Sequence, residues 1–285
     1  MKPNRKQKSL ALLLIGILIV IVLFIASIVI GSIVSKISNN NTTKTETVQK
    51  ASSSSNTPIQ NMPTQTQYQT AYYNVQSIIG DATYNGNGAY IVNNNKSTLI
   101  AKNSTKPFAA NTLDAKGRPN TANAFLTKQT RQYKNREETN NGRTKWVPNG
   151  WHQVVNLPGK YTYAYNRGHL LAYALVGGIK KYDASESNKK NIITQTMWAN
   201  QASTSNNTGQ AYYETIVRKA LDKNKKIRYQ VRPLYGEKSS TNVVPYGVQI
   251  QAVSTDGTIN FNVFIPNAQG NINVNYSNGT VTQSN

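Results

Sequence analysis

No cysteine occurs anywhere in the chain, and histidine occurs only twice, at His152 and His169. The first absence excludes disulfide frameworks, zinc ribbons and thiol nucleophiles, so the fold rests on core packing alone. The second excludes a multi-histidine metal site. A metal here must take oxygen ligands, which suit hard ions such as Mg²⁺ or Mn²⁺. Acidic residues are scarce as well, 11 Asp and Glu against 32 Lys and Arg, giving a net charge of +21. No repeat of roughly 20 to 50 residues is present, which removes solenoids and propellers.

One long apolar run is present between Ser9 and Ser35, uncharged throughout and centred on LALLLIGILIVIVLFIASIVIGSIV. A bilayer core needs roughly 20 apolar residues as a helix, and the run exceeds the roughly 7 to 15 of a cleaved signal peptide. Lys2, Arg5, Lys6 and Lys8 precede it. Positive residues stay cytoplasmic, so residues 1–36 are expected to form a basic tip and a single-pass signal anchor, with everything after Lys36 outside the cell. Cleavage of the anchor would give a secreted form. Residues 37–78, rich in Ser, Thr, Asn and Gln, show almost no apolar periodicity and read as a disordered tether. Residues 79–285 remain as one extracellular domain of ordinary size. They hold 25 basic residues against 10 acidic, or +15. Such a surface attracts polyanions: nucleic acid, a wall polymer of the teichoic type, or anionic lipid.

Within the domain, AYIVNN and TLIAKN read as short strands, and Gly-Arg-Pro in TLDAKGRPNTANAFLT as a turn. The polar, basic stretch from Gln129 to Trp151 reads as a loop lining one face. YTYAY is β-prone and leads into an expected turn at Asn166–Gly168. GQAYYETIVRKALDKNKK predicts a helix, with Tyr213, Ile216, Val217, Ala220 and Leu221 as its apolar stripe and Glu214 and Arg218 on one face. IRYQVRPLYG, GVQIQAVS and TINFNVFIPN alternate as antiparallel strands do. Strands, one main helix and more strands indicate a mixed α+β fold.

A lone histidine is more often structural than catalytic, but His169 has informative company. Arg167 lies two positions before it, Asn191 and Asn200 follow in NIITQTMWANQ, and Glu214 and Arg218 sit on the helix beyond. Phosphodiester hydrolysis needs those residue types: a base for water, a divalent ion against the charge growing on phosphate, and cations for the flanking phosphates. Histidine, with an ordinary pKa of about 6.5, is an apt base near neutral pH. An Asn oxygen can bind Mg²⁺, and a carboxylate can orient the waters around it.

NRGHLL, NIITQTMWANQ and YYETIVR, in that order, resemble the DNA/RNA non-specific endonucleases with a ββα-metal (His-Me finger) site, most closely the membrane-anchored streptococcal members. LDAKGR, PNGW and YQVRPLY also fit, so the resemblance covers roughly residues 95–265. It implies a central antiparallel sheet bearing a ββα-metal motif, with His169 as general base and Asn200 as the protein ligand of Mg²⁺, with Mn²⁺ as its substitute. It further implies that Glu214 orders waters on the ion, that Asn191 supports the site and a substrate phosphate, and that Arg167 and Arg218 face the scissile phosphate or its neighbours. Gln195 is expected at the nucleic-acid backbone, and Arg131, Lys134 and Arg136 of the basic loop in a phosphate groove. The implied partner is DNA, with RNA open. The implied role is DNA uptake or degradation of extracellular DNA. The commonest family motif has Asp where this chain has Asn166; Asn replaces Asp readily if the residue only shapes a turn. His152 lacks such a setting and reads as structural or exposed. A non-catalytic surface receptor for DNA or another polyanion explains the charge, anchor and tether equally well, but not His169, Asn191, Asn200 and Glu214 together.

Overall fold

The computed structural model describes residues 61–101 and 106–284. The expected anchor, residues 1–36, and the expected tether as far as residue 60 lie outside the described residues. The chain begins with helices α1 (Gln65–Tyr73) and α2 (Gln76–Ile79), then strands β1 (Ala82–Tyr84), β2 (Tyr90–Val92), β3 (Phe108–Leu113) and β4 (Pro119–Leu126). After the long basic loop come β5 (Tyr165–His169), the short helix α3 (Tyr173–Val176), β6 (Ile192–Thr196) and α4 (Met197–Gln201). A small hairpin of β7 (Ser203–Thr204) and β8 (Asn207–Thr208) leads into α5 (Gln210–Asp222). The remaining strands are β9 (Ile227–Leu234), β10 (Gly247–Ser254), β11 (Asn260–Pro266), β12 (Ile272–Val274) and β13 (Val281–Gln283).

Seven strands form one antiparallel sheet in the order β1-β2-β11-β10-β9-β4-β3. The alternating segments of the second half thus supply its centre. Their register places Tyr229 opposite Ala252 and Val231 opposite Ile250, with Ala252 opposite Phe261. All five are buried and make an apolar face, against which α5 packs, Tyr213 lying 5.3 Å from Phe261 between ring centroids. The other face is polar, with Gln230 donating to Asn123 and Gln249 to Asn262, both at 2.9 Å. The mixed α+β fold with a central antiparallel sheet is therefore as the sequence implies.

Three local expectations are corrected. The tether does not extend to residue 78. Thr64 and Gln67 form a reciprocal capping box at the start of α1, and Tyr68, Ala71, Tyr72 and Val75 enter the main core. Tyr72 stacks on Tyr90 at 4.5 Å. A stripe spaced 3, 4 and 7 outweighs the polar composition between its members. TLIAKN does not form a strand over its described residues 98–101. There the amide and hydroxyl of Thr98 bond to Gln251 Oε1 instead, so the segment caps the polar face of the sheet through a side chain. Asn166–Gly168 is not a turn but the middle of β5, paired antiparallel with β6, with Asn166 opposite Gln195 and Gly168 opposite Ile193. The ladder satisfies these backbone groups, so a turn has nothing to offer them.

Candidate active site

The β5–β6 hairpin stands apart from the main sheet and is followed by α4 and α5. Gly209 lets those two helices meet: a Cβ there would lie 2.7 Å from the Ala199 carbonyl oxygen. His169 ends β5, Asn200 sits near the end of α4, and Glu214 lies one turn into α5. The strand pairing and helix contact bring together residues separated by up to forty-five positions.

His169 and Asn200 share a cleft of about 450 Å³ with Arg136, Asn166, Arg167 and Glu186. Trp151 and Tyr163 form part of its wall. Nε2 of His169 lies 3.0 Å from Nη2 of Arg136. A guanidinium only donates, so this nitrogen is the bare one and the imidazole is neutral. Burial first, and the Arg136 charge second, push its pKa down to about 3, against the opposite pull of hydrogen bonds to the Arg167 and Ala184 backbone. Arg136 is itself held over the Tyr173 ring at 4.5 Å and donates to the Ala184 carbonyl.

The carboxamide of Asn200 accepts from Asn166 Nδ2 at 3.1 Å and donates to Gln195 Oε1 at 3.0 Å. Asn166 thus touches the residue expected to hold the ion, rather than shaping a turn. Gly168 makes room for this arrangement, since a Cβ there would lie 2.3 Å from Gln195 Oε1. Glu214 does not line the cleft. It lies behind, accepting from Gln210 Nε2 at 2.8 Å, and burial pushes its carboxyl up to about 7 despite that hydrogen bond and the nearby Arg218.

Several expected contacts fall elsewhere. Asn191 is fully buried; its amide brackets the backbone of Leu171 and accepts from Asn111, so it supports the segment after His169 and cannot reach a phosphate. Gln195 is 1% exposed and engaged at both ends, which removes it from the nucleic-acid backbone. Arg131 is not a groove residue: its guanidinium bonds to both Asp222 carboxylate oxygens and to the carbonyls of Ala174 and Arg218. Arg167 lines the cleft, but its Nε and Nη2 hold the Trp146 and Thr144 carbonyls, pinning the basic loop. Lys134 and Arg218 are exposed and outside the cleft lining, and His152 is exposed. Gln210 was not among the expected site residues, although its position four before Glu214 on a helix puts both on one face.

Residues 85–285 match the sequence profile of the DNA/RNA non-specific endonuclease family. Among solved structures, the chain is similar to NucA from Streptococcus agalactiae with magnesium bound, at 43% identity and a TM-score of 0.70, over 76% of this chain and 96% of that one. The metal-free form of the same NucA matches at 43% identity and a TM-score of 0.69, over 76% and 97% respectively.

Proposed function

Because this chain belongs to the DNA/RNA non-specific endonuclease family, we propose that the cleft shared by His169 and Asn200 is where it cuts DNA. The protein is a Mg²⁺-dependent endonuclease without sequence preference, and the reading as a non-catalytic receptor is set aside. The observation that supports the site is the convergence of a bare imidazole nitrogen, an amide oxygen and a guanidinium on one cleft.

The donors available suit Mg²⁺. Asn200 offers an amide oxygen and Glu214 a carboxylate behind it, and among the described residues no group of three His, Cys, Asp or Glu forms a competing cage. Mg²⁺ takes one or two protein oxygens and keeps several waters. When bound, the ion neutralises charge developing on the phosphate. His169 accepts the proton of the attacking water at Nε2. Arg136 covers that nitrogen in the free protein, and a phosphate oxygen, the better partner for a guanidinium, draws it toward the substrate. Trp151 and Tyr163 offer the cleft aromatic faces rather than base-edge donors, in keeping with sequence-tolerant cutting. The basic residues before the apolar run support a single-pass anchor with the nuclease domain outside the cell, serving DNA uptake or breakdown of extracellular DNA.

Plasmid incubated with the full chain should be cut with Mg²⁺ and left intact in EDTA. His169→Gly should still bind DNA but lose about 10²- to 10⁴-fold in rate, and added imidazole should restore part of it, whereas Asn200→Ala should not respond. A His169→Gly protein cutting at the wild-type rate would refute the assignment.

A further inference from the structure

From the wall of the cleft inward, Asn166, Asn200, Gln195, Gln210 and Glu214 form one hydrogen-bonded line of four amides and a carboxylate. Each carboxamide has a donor end and an acceptor end. A line of them therefore has a direction, and reversing one member reverses its neighbours. Gln195 and Gln210 are each 1% exposed, so water cannot repair a mismatched end.

The direction is fixed at the backbone of His169. Its carbonyl can only accept, and Gln210 Nε2 donates to it at 2.5 Å while also donating to Glu214 Oε1 at 2.8 Å. The oxygen of Gln210 must then face away, where it accepts from Gln195 Nε2 at 3.0 Å. The oxygen of Gln195 in turn accepts from Asn200 Nδ2, also at 3.0 Å. With its nitrogen held inward, Asn200 presents its oxygen to the cleft. Only that end of the amide can ligate a cation, because the NH₂ group donates and carries no available lone pair.

We propose that Gln210 is the positioning residue of the metal site: it reads the His169 carbonyl and, through Gln195, turns the Asn200 oxygen outward. The proposal rests on the reading of Asn200 as the Mg²⁺ ligand. Gln210 touches neither substrate nor ion. One backbone carbonyl thereby sets both the base strand and the ligand amide, so the two halves of the site are oriented together.

The test is Mn²⁺ binding to the full-length protein without nucleic acid, followed by electron paramagnetic resonance, which needs no catalysis. Gln210→Met keeps the length and removes the polarity; it should weaken Mn²⁺ binding by about 10- to 100-fold, as loss of a partner behind a ligand does. In an Asn200→Asp background both ends of the ligand are oxygens and no orientation is needed. There, Gln210→Met should cost little, because Gln195 is freed to turn its NH₂ toward the carboxylate. Equal losses in the two backgrounds, or no loss in either, would overturn the proposal. Asn200→Ala separates the two levels. If it leaves Mn²⁺ binding intact, the ligand reading fails; if it abolishes binding while Gln210→Met leaves the affinity unchanged, only the positioning role fails. Should Gln210→Met not fold, Gln195→Met breaks the same line one step nearer Asn200 and should weaken Mn²⁺ binding likewise, and an unchanged affinity would overturn the proposal.

Discussion

At the scale of single residues, the two titrating groups of the site are displaced in opposite directions by the same cause. Burial disfavours charge, so it lowers His169 to about 3 and raises Glu214 to about 7. For stability the signs are opposite as well. Between its ordinary 4.5 and about 7, folded Glu214 holds its proton more tightly than the unfolded chain does. Stability is therefore lost as pH rises through that window. For His169 the unfolded chain holds the proton more tightly, and stability is lost as pH falls from 6.5 toward about 3. Glu214→Gln fixes the carboxyl in a neutral form and leaves His169 in place. In EDTA, its melting temperature should match the wild type near pH 4 and exceed it increasingly up to pH 8. A difference independent of pH, measured by circular dichroism, would show that Glu214 does not titrate in this range.

At the scale of elements, α1 brings residues of the expected tether into the packed domain. Gln67 completes the capping box and also donates to the Ile272 carbonyl at 2.8 Å, tying the helix start to the C-terminal hairpin. Tyr68 meets Tyr84 at 4.9 Å and the edge of Trp198 at 5.8 Å. Each large side chain buried this way contributes roughly 1.5–3 kcal/mol, so α1 is a stabilising part of the nuclease domain. A chain beginning at Ile79 should melt well below one beginning at Asn61, or fail to fold. Equal melting temperatures in a thermal scan would mean that the helix merely rests on the surface. The capping box and the 68-71-72-75 stripe were both available in the sequence. A composition dominated by Gln and Thr masked them.

At the scale of the whole molecule, the charge of +15 over residues 79–285 is of the sign that attracts a polyanion such as DNA. Sequence alone cannot divide that charge between binding and bracing. Arg131 braces, held by Asp222 at 3.0 Å, whereas Lys134 is exposed and Arg136 reaches the cleft. For duplex DNA the log–log slope of affinity against salt is about −0.9 per neutralised phosphate. Arg136→Ala should make the slope shallower by about that amount, and Lys134→Ala by less, because Lys134 lies outside the cleft lining. Arg131→Ala should leave the slope unchanged and lower the melting temperature instead. A slope that responds to Arg131 but not to Arg136 would reverse this division.

What the sequence by itself determined is whatever depends on local order and residue type. Alternation gave β9, β10 and β11, helical spacing gave α5, and the sparse histidines with NRGH, NIITQTMWANQ and YYETIVR pointed to the family. Tertiary structure decided which polar side chains still have a free end. Asn191, Gln195 and Arg131 are of the types that contact nucleic acid, yet each is satisfied by partners far away in the chain: Leu171, Gln210 and Asp222. Gln210 gains its importance from a carbonyl forty-one positions earlier. The physical reason is that a hydrogen-bonding group declares its chemistry in its type but not its partner, and burial requires that the partner be found wherever the fold brings one.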